Sequence, residues 1–269
     1  MSFNNVKGFA EVNRTRLYYE IAGKGEPLVL IHGLFLNNEM WDDQLQEFSK
    51  QYKVIRYDMR GYGKSNNPKE DEPYSNHEDL KALLDYLKIP NANILGLSLG
   101  GSNAINFTLE YPEYVKSLIL ADPHINGYNY SKDFLVWITS LFKIAREKSL
   151  EASLDAFLDG ALFKSAMEKS SVADKMRDLV STYSGWKLLH NDPVSETDPP
   201  AYDRLSEITC PVLVLVGGLD IVDYRSIADK ISSIVPNARK SVIKDVGHMS
   251  NIEDSETFNK HVFEFLSSV

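Results

Sequence analysis

Short apolar runs, most of them rich in Val, Leu and Ile, alternate along the chain with longer amphipathic stretches. Continuous apolar runs of this length are typical of strands buried on both faces of a parallel sheet. The runs that predict strands are residues 28–31, 53–57, 93–97, 115–121, 211–217 and 240–244. Two earlier segments, 9–12 and 16–21, predict an antiparallel hairpin that leads into the sheet.

Apolar residues at helical spacing mark the stretches between these runs. In one of them Leu80, Leu83, Leu84 and Leu87 fall on a single helical face. The stretches that predict helices are residues 40–50, 77–88, 102–111, 225–235 and 254–266. Alternating strands and helices predict an α/β fold, with a mostly parallel, twisted sheet and helices on both of its faces.

The alternation stops between Pro123 and Pro200, where no run resembles a strand. The interval contains helical patterns at 134–147, 150–163 and 166–181. We therefore predict a core domain made of residues 1–122 and 201–269, and a helical cap inserted at 123–200. Open α/β sheets bind ligands beyond the carboxyl ends of their strands. An insertion at such an end is a candidate lid over a pocket.

Composition and charge exclude several classes of protein. The formal net charge of −9 argues against a nucleic-acid-binding surface, which is basic. The single cysteine, Cys210, can form neither an internal disulfide nor a two-cysteine metal site. No window approaches the roughly 20 apolar residues that span a membrane, and residues 1–20 lack an apolar segment of the signal-peptide kind. We expect a cytoplasmic protein that binds neither nucleic acid nor a membrane.

The segment ILGLSLGGSN, residues 94–103, places a serine between glycines where a predicted strand meets a predicted helix. A G-x-S-x-G match alone is weak, but in a strand-turn-helix setting it is typical of a serine exposed on a strained turn. Glycines at 96, 100 and 101 would let the strand and the helix approach closely. We therefore predict that Ser98 is a nucleophile.

A nucleophilic serine needs a base, and the base needs an acid that orients it. In this arrangement the chain order is serine, acid, histidine. His248 follows the last predicted strand, and Asp220 follows the strand before it, so these two are the predicted base and acid. Asp122 is an alternative acid, and Asp223 is a neighbour that we expect to cap the next helix.

The tetrahedral intermediate of acyl transfer needs two hydrogen-bond donors for its oxyanion. One is the backbone N–H of Leu99, the residue after the nucleophile. The other comes from the loop His32-Gly33-Leu34-Phe35 after an early strand. The Leu34 N–H is the preferred donor, and the Phe35 N–H is the alternative.

Five motifs stand in order along the chain: HGLF at 32–35, DMRGYGKS at 58–65, GLSLGG at 96–101, GLD at 218–220 and GHMSNIE at 247–253. Together they resemble the α/β-hydrolase superfamily along nearly the whole length. The resemblance implies that Ser98, Asp220 and His248 form the catalytic triad. It also implies that Leu34 and Leu99 supply the oxyanion donors, and that the reaction uses no metal and no cofactor.

The motif after the base and the length of the cap most resemble the 3-oxoadipate enol-lactonase and small carboxylesterase branch. This resemblance implies hydrolysis of a small carboxylic ester or lactone. Two alternatives are perhydrolysis or carbon–carbon bond hydrolysis with the same triad, and a third is a ligand-sensing or signalling protein of the same fold. The stretch at 58–65 resembles the family's structural turn after the fourth strand, so Asp58 and Arg60 receive no catalytic role.

Substrate choice is expected to lie with the cap, because such pockets are mostly apolar with a few polar groups. Phe35, Trp137 and Trp186 are the candidate pocket residues. Arg146 and Arg177, both in the cap, are candidates to meet a substrate carboxylate. The sequence predicts no oligomeric state.

Overall fold

One sheet of eight strands organises the computed structural model, which describes residues 5–269. The strands are β1 (Val6–Val12), β2 (Thr15–Ala22), β3 (Pro27–Ile31), β4 (Lys53–Tyr57), β5 (Ala92–Leu97), β6 (Val115–Ala121), β7 (Val212–Gly217) and β8 (Ala238–Ile243). Their spatial order is β1-β2-β4-β3-β5-β6-β7-β8. β2 pairs antiparallel with β1 and β4, and all other pairings are parallel. The predicted mostly parallel sheet and its leading hairpin are confirmed.

Helices cover the sheet and fill the interval between β6 and β7. They are α1 (Asp42–Phe48), α2 (Asn76–Tyr86), α3 (Leu99–Glu110), α4 (Lys132–Glu147), α5 (Leu150–Leu158), α6 (Lys164–Met167), α7 (Ser170–Ser181), α8 (Trp186–Leu189), α9 (Val222–Ile234), α10 (Ser250–Glu253) and α11 (Ser255–Leu266). Within residues 5–269, no helix combines the length and the apolar character needed to cross a bilayer. The α/β fold class predicted from the alternation is therefore confirmed.

The interval between β6 and β7 is helical, as predicted, with α4 packed on α5 and α8, and α5 packed on α7. The predicted helix at 150–163 ends early, at Leu158, and a 3-10 turn covers Ala161–Phe163. Gly160 lies in the break, where a side chain would collide with the ring of Trp137. The division into a core and a cap at 123–200 stays a prediction, and residues 1–4 of its first segment lie outside the described residues.

Buried polar contacts fix the turn that follows β4. The Asp58 carboxylate accepts hydrogen bonds from the backbone N–H groups of Asn38 and Lys64, each at 2.8 Å. Arg60 pairs with Asp79 at 2.7 Å, and both side chains are buried. These side chains thus bond to the turn itself and to the segments beside it, which agrees with the structural role that the resemblance implied.

Candidate active site

Ser98 lies on a sharp turn between β5 and α3. Its φ is +54°, a conformation that residues other than glycine rarely adopt. The Ser98 N–H donates to the carbonyl of Ala121 at 3.0 Å. The Ser98 carbonyl accepts from the N–H groups of Ser102 at 3.1 Å and His124 at 3.0 Å. Bonds to β6, to α3 and to the segment after β6 thus hold a strained turn in place.

Two glycines make this turn possible. A Cβ atom on Gly96 would collide with the carbonyl oxygen of Gly100, and a Cβ atom on Gly100 would collide with that of Ile31. The start of α3 therefore sits against the ends of β3 and β5 at a distance that only glycine allows. The close approach predicted from the glycine spacing is present.

Asp220 and His248 form a buried hydrogen-bonded pair beyond the ends of β7 and β8. Asp220 Oδ2 lies 2.9 Å from His248 Nδ1, and both side chains are at most 2% exposed. The other oxygen, Oδ1, accepts the backbone N–H of Ile221 at 2.7 Å. His248 Nε2 is buried and has no hydrogen-bond partner within residues 5–269. The predicted acid and base are therefore hydrogen-bonded to each other, and the second nitrogen of the imidazole has no hydrogen-bond partner among the described residues.

Tyr224 packs against this pair. Its ring stands edge-on to the ring of His248, with 4.3 Å between the centroids. Burial raises the pKa of the Tyr224 phenol well above its usual range. Tyr224 also lines both of the cavities at Ser98 that are described below. The sequence had not singled out Tyr224, because the predicted helix began only at residue 225.

Asp122, the alternative acid, lies beside Asp220 but does not pair with His248. Its carboxyl oxygens accept from the Gly217 N–H at 2.7 Å and the Ser250 hydroxyl at 2.5 Å. Burial, and then the negative charge of Asp220, raise the pKa of the Asp122 carboxyl well above its usual range. The structure therefore makes Asp122 a buried neighbour of the Asp220–His248 pair that is held by two hydrogen bonds of its own.

These three side chains are also the one close group of potential metal ligands among residues 5–269. Ligand atoms of Asp122, Asp220 and His248 lie within 4.8 Å of one another. However, the oxygens of both carboxyl groups and the Nδ1 atom of the imidazole already take part in the hydrogen bonds described above. The donor set fits a hydrogen-bonded network better than a coordination shell.

Asp223 binds the cap and does not cap its own helix. α9 begins at Val222, so Asp223 falls in the first turn. Its two oxygens accept the N–H and the hydroxyl of Ser131, both at 2.7 Å, and Ser131 is itself the N-cap of α4. The expectation that Asp223 is an N-cap was wrong, because the helix starts three residues earlier than the periodicity indicated.

The predicted oxyanion donors flank Ser98. Leu99 is the first residue of α3, where N–H groups have no partner within the helix. Leu34 lies in the turn after β3, which is closed by the Leu36 N–H donating to Gly33 O at 3.4 Å. Both Leu34 and Leu99 line a cavity together with Ser98. Their role as donors stays a prediction.

Two cavities meet at Ser98. The smaller has a volume of about 30 Å³ and the larger of about 400 Å³. Among the candidate pocket residues, Trp137 lines the smaller one. Phe35 instead packs inside the protein against Tyr183, with 4.8 Å between ring centroids, and Trp186 stacks on His190 at 5.3 Å. The structure thus places one of the three candidates at the cavities and two away from them.

The charged groups at the larger cavity are not the predicted arginines. Arg146 donates to the backbone carbonyl of Leu188, and Arg177 pairs with Asp174 on the surface. Lys187 and Glu196 line the cavity instead. No sequence pattern marked these two, because their position depends on how the cap folds over the sheet.

Comparison with known proteins gives a consistent picture. The family described as alpha/beta hydrolase fold matches residues 26–255. A 2-hydroxy-6-oxononadienedioate/2-hydroxy-6-oxononatrienedioate hydrolase of Comamonas testosteroni is 29% identical, over 98% of this chain and 94% of its own. Carboxylesterase YbfK of Bacillus subtilis (strain 168) is 25% identical, over 89% and 79% of the two chains.

A solved structure extends the comparison to the whole fold. The enol-lactonase from Burkholderia xenovorans LB400 superposes with a TM-score of 0.78 at 28% identity, covering 97% of this chain and 100% of that chain. Esterases, lactonases and carbon–carbon bond hydrolases are therefore all among the relatives of this chain.

Proposed function

The chain belongs to the alpha/beta hydrolase fold family, and from this premise we propose that it is a serine hydrolase of small carboxylic esters or lactones. The observation that carries the proposal is the buried Asp220–His248 hydrogen bond at 2.9 Å, which leaves Nε2 of the imidazole without a hydrogen-bond partner within residues 5–269. A base, its orienting acid and a hydroxyl nucleophile are the three groups that such acyl transfer needs.

In the proposed acylation, Ser98 Oγ attacks the carbonyl carbon while its proton passes to His248 Nε2. The negative charge that develops on the carbonyl oxygen is held by the Leu34 and Leu99 N–H groups. His248 then gives the proton to the leaving oxygen, the bond between that oxygen and the carbonyl carbon breaks, and an ester of Ser98 remains.

Deacylation repeats these steps with water in place of serine. His248 takes a proton from water, the hydroxide attacks the acyl group, and the proton returns to Ser98 Oγ as the acid departs. Asp220 accepts the Nδ1–H of His248 throughout, which fixes the tautomer of the imidazole and stabilises the imidazolium. No step requires a metal or a cofactor.

The first step requires a hydrogen bond from the Ser98 hydroxyl to His248 Nε2, which has no hydrogen-bond partner within residues 5–269. Catalytic hydrogen bonds are often loose in ligand-free enzymes and tighten when the substrate is bound. We expect this bond to form when a substrate occupies the cavities at Ser98.

Trapping the acyl-enzyme tests the proposal. p-Nitrophenyl acetate should give a burst of p-nitrophenol equal to the enzyme concentration, and acid-quenched protein should carry one acetyl group on Ser98. Mass spectrometry of the digested protein identifies the acetylated residue. Turnover without an acyl group on Ser98, or no turnover across a series of acyl chain lengths, would contradict the proposal.

Carbon–carbon bond hydrolysis is the second candidate, favoured by the 29% identity to the Comamonas testosteroni hydrolase over nearly the full chain. The same triad would act on the keto form of the substrate in place of an ester. A 2-hydroxy-6-oxo-2,4-dienoate distinguishes the two functions, because only a carbon–carbon bond hydrolase adds water to it and splits it into two carboxylic acids. A higher kcat/KM for this compound than for any ester would make it the preferred function.

A further inference from the structure

The two cavities at Ser98 differ in chemistry as well as in size. They share Ser98 and Tyr224, so both open onto the predicted reacting group. All residues that line only the smaller cavity are apolar. The larger cavity adds Lys187, Glu196 and His124 to an aromatic wall. The two substituents of a carbonyl group bound at Ser98 would therefore lie in unlike surroundings.

The smaller cavity has room for very little. A buried water occupies about 10 to 15 Å³ on this scale, so about 30 Å³ holds roughly two or three non-hydrogen atoms. Its walls include packed aromatic rings: Trp137 stacks on Phe157 with 5.8 Å between the centroids, and Phe163 is tilted against Phe157 at 4.5 Å. Trp137 is held further by a hydrogen bond from Nε1 to the carbonyl of Ala156 at 3.2 Å. Walls packed in this way resist expansion, because overfilling forces side chains out of their rotamers.

The larger cavity suits a substituent with polar or aromatic groups. At about 400 Å³ it falls in the range of cavities that bind whole small molecules. Lys187 forms an ion pair with Asp192 at 2.8 Å, so its charge is compensated, and Glu196 accepts a hydrogen bond from the Asn106 amide at 2.8 Å. His124 adds a neutral imidazole, because burial lowers its pKa to about 4. The wall therefore offers several kinds of hydrogen-bonding group, including one carboxylate.

We propose that the substrate is asymmetric about the reacting carbonyl. On one side it carries an apolar group of no more than about three carbon atoms, which enters the smaller cavity. On the other side it carries a larger aromatic or hydrogen-bonding group, which fills the larger cavity. The inference rests on the proposed serine hydrolase function and adds a substrate class to it.

Two homologous series of esters test the asymmetry. The first keeps a 2-naphthyl alcohol and lengthens the acyl group from acetyl to hexanoyl, and the second keeps a 2-naphthoyl acid and lengthens the alcohol from methyl to hexyl. One series should lose at least about 10-fold in kcat/KM between three and six carbons, because the extra methylenes do not fit. The other series should show no such cutoff, since its variable group has the larger cavity available.

Enlarging the smaller cavity should remove the cutoff. Leu162→Ala on the cap side and Leu36→Ala on the core side each shorten a residue that lines only that cavity. Either variant should raise kcat/KM for the six-carbon member at least about 10-fold relative to the two-carbon member. Phe142→Ala is the matched control, because Phe142 lines only the larger cavity and the cutoff should persist. Because two separate variants are made, the test can still be read if one of them fails to fold.

The outcomes separate this inference from the proposed function. If esters are hydrolysed through Ser98 but both series decline alike, or neither leucine variant moves the cutoff, the asymmetry is overturned while the serine hydrolase remains. If no ester is hydrolysed and a fluorophosphonate does not label Ser98, the proposed function is overturned and the substrate class with it.

Discussion

The predicted core and the helical segment 123–200, the predicted cap, position their side chains by different means. In the core, Ser98, Asp220 and His248 follow the ends of the parallel strands β5, β7 and β8, so backbone hydrogen bonds set their places. In the cap, Trp137 and Phe157 reach the smaller cavity from two helices whose contact includes ring stacking and the Trp137 Nε1 bond to the carbonyl of Ala156. The comparison teaches that the predicted chemistry depends on strand order, whereas the shape of the pocket depends on side-chain volume.

One carboxylate joins the two regions. Glu253 accepts the N–H of Gly247, in the loop that carries His248, and the hydroxyl of Ser165 in the cap at 2.5 Å. It also pairs with Lys169 of the cap at 3.1 Å, and its side chain is fully buried. The loop of the predicted base and the cap are therefore held to the same side chain.

The largest expected effect tests the core by itself. Ser98→Ala should lower kcat/KM for the best ester on the order of 10⁴-fold or more, because no other hydroxyl sits on the strained turn. Ser102→Ala, which removes a buried hydroxyl one turn along α3, should retain activity within a few fold. Steady-state kinetics of both variants, with thermal unfolding as a check on folding, measures the difference. Equal losses in the two variants would contradict the assignment of Ser98.

A second pair of variants separates the two buried aspartates. Asp220→Asn should lower kcat on the order of 10³- to 10⁴-fold, since the amide can donate to Nδ1 and favour the wrong tautomer. Asp122→Asn should cost less than about 10-fold, because Asp220 and not Asp122 bonds His248 Nδ1, and the amide oxygen can still accept one of the two hydrogen bonds that Asp122 accepts. Measuring kcat of both variants at pH 7 to 8 compares the two losses. A large loss in Asp122→Asn would show that Asp122 shares the orienting role.

The link between the regions should have a smaller effect. Glu253→Gln removes the charge that pairs with Lys169 and weakens the bonds to the loop of His248, which should cost about 1 to 3 kcal/mol in the free energy of unfolding. Because both regions are disturbed, kcat and KM should change together. Glu256→Gln, in the first turn of α11, is the exposed control and should leave both unchanged. Urea denaturation and ester kinetics report the two quantities.

An effect confined to acidic pH concerns the stability of the protein through His124, at the start of the predicted cap. The folded pKa of His124 is about 4, below the unfolded value of about 6.5, so between these values the unfolded chain binds a proton that the folded chain does not. Stability therefore falls as the pH drops from 6.5 to 4. His124→Asn should lessen this loss by roughly 1 to 3 kcal/mol. Denaturation curves of the two proteins across this window give the difference, and parallel curves would contradict the prediction.

Much of the core could be predicted because its signals are local. The glycines around Ser98 predicted a turn between a strand and a helix. The structure shows that side chains at Gly96 and Gly100 would collide with backbone carbonyl oxygens there. Asp220 and His248 were found from their places after two late strands, since parallel strands bring their carboxyl ends to one edge. The distance of 2.9 Å between them agrees with that reasoning.

The contacts of the cap could not be predicted in the same way. A helical period shows that Trp137 and Trp186 lie on helices, but not which of them meets the cavity. Asp223 was expected to cap α9 and instead binds Ser131, a contact between residues 92 positions apart. Such contacts depend on how the helices dock, which periodicity alone does not encode.

The sequence by itself determined the α/β class, the hydrolase family and the chain positions of the predicted triad, because apolar periods and glycine turns act over a few residues. Only the tertiary structure decided that Tyr224 packs on His248 and lines the cavities at Ser98, that Asp122 lies buried beside Asp220 with a raised pKa, and that two unequal cavities meet at Ser98. The reason is physical: burial, and the volume left between packed side chains, arise from segments that are distant along the chain.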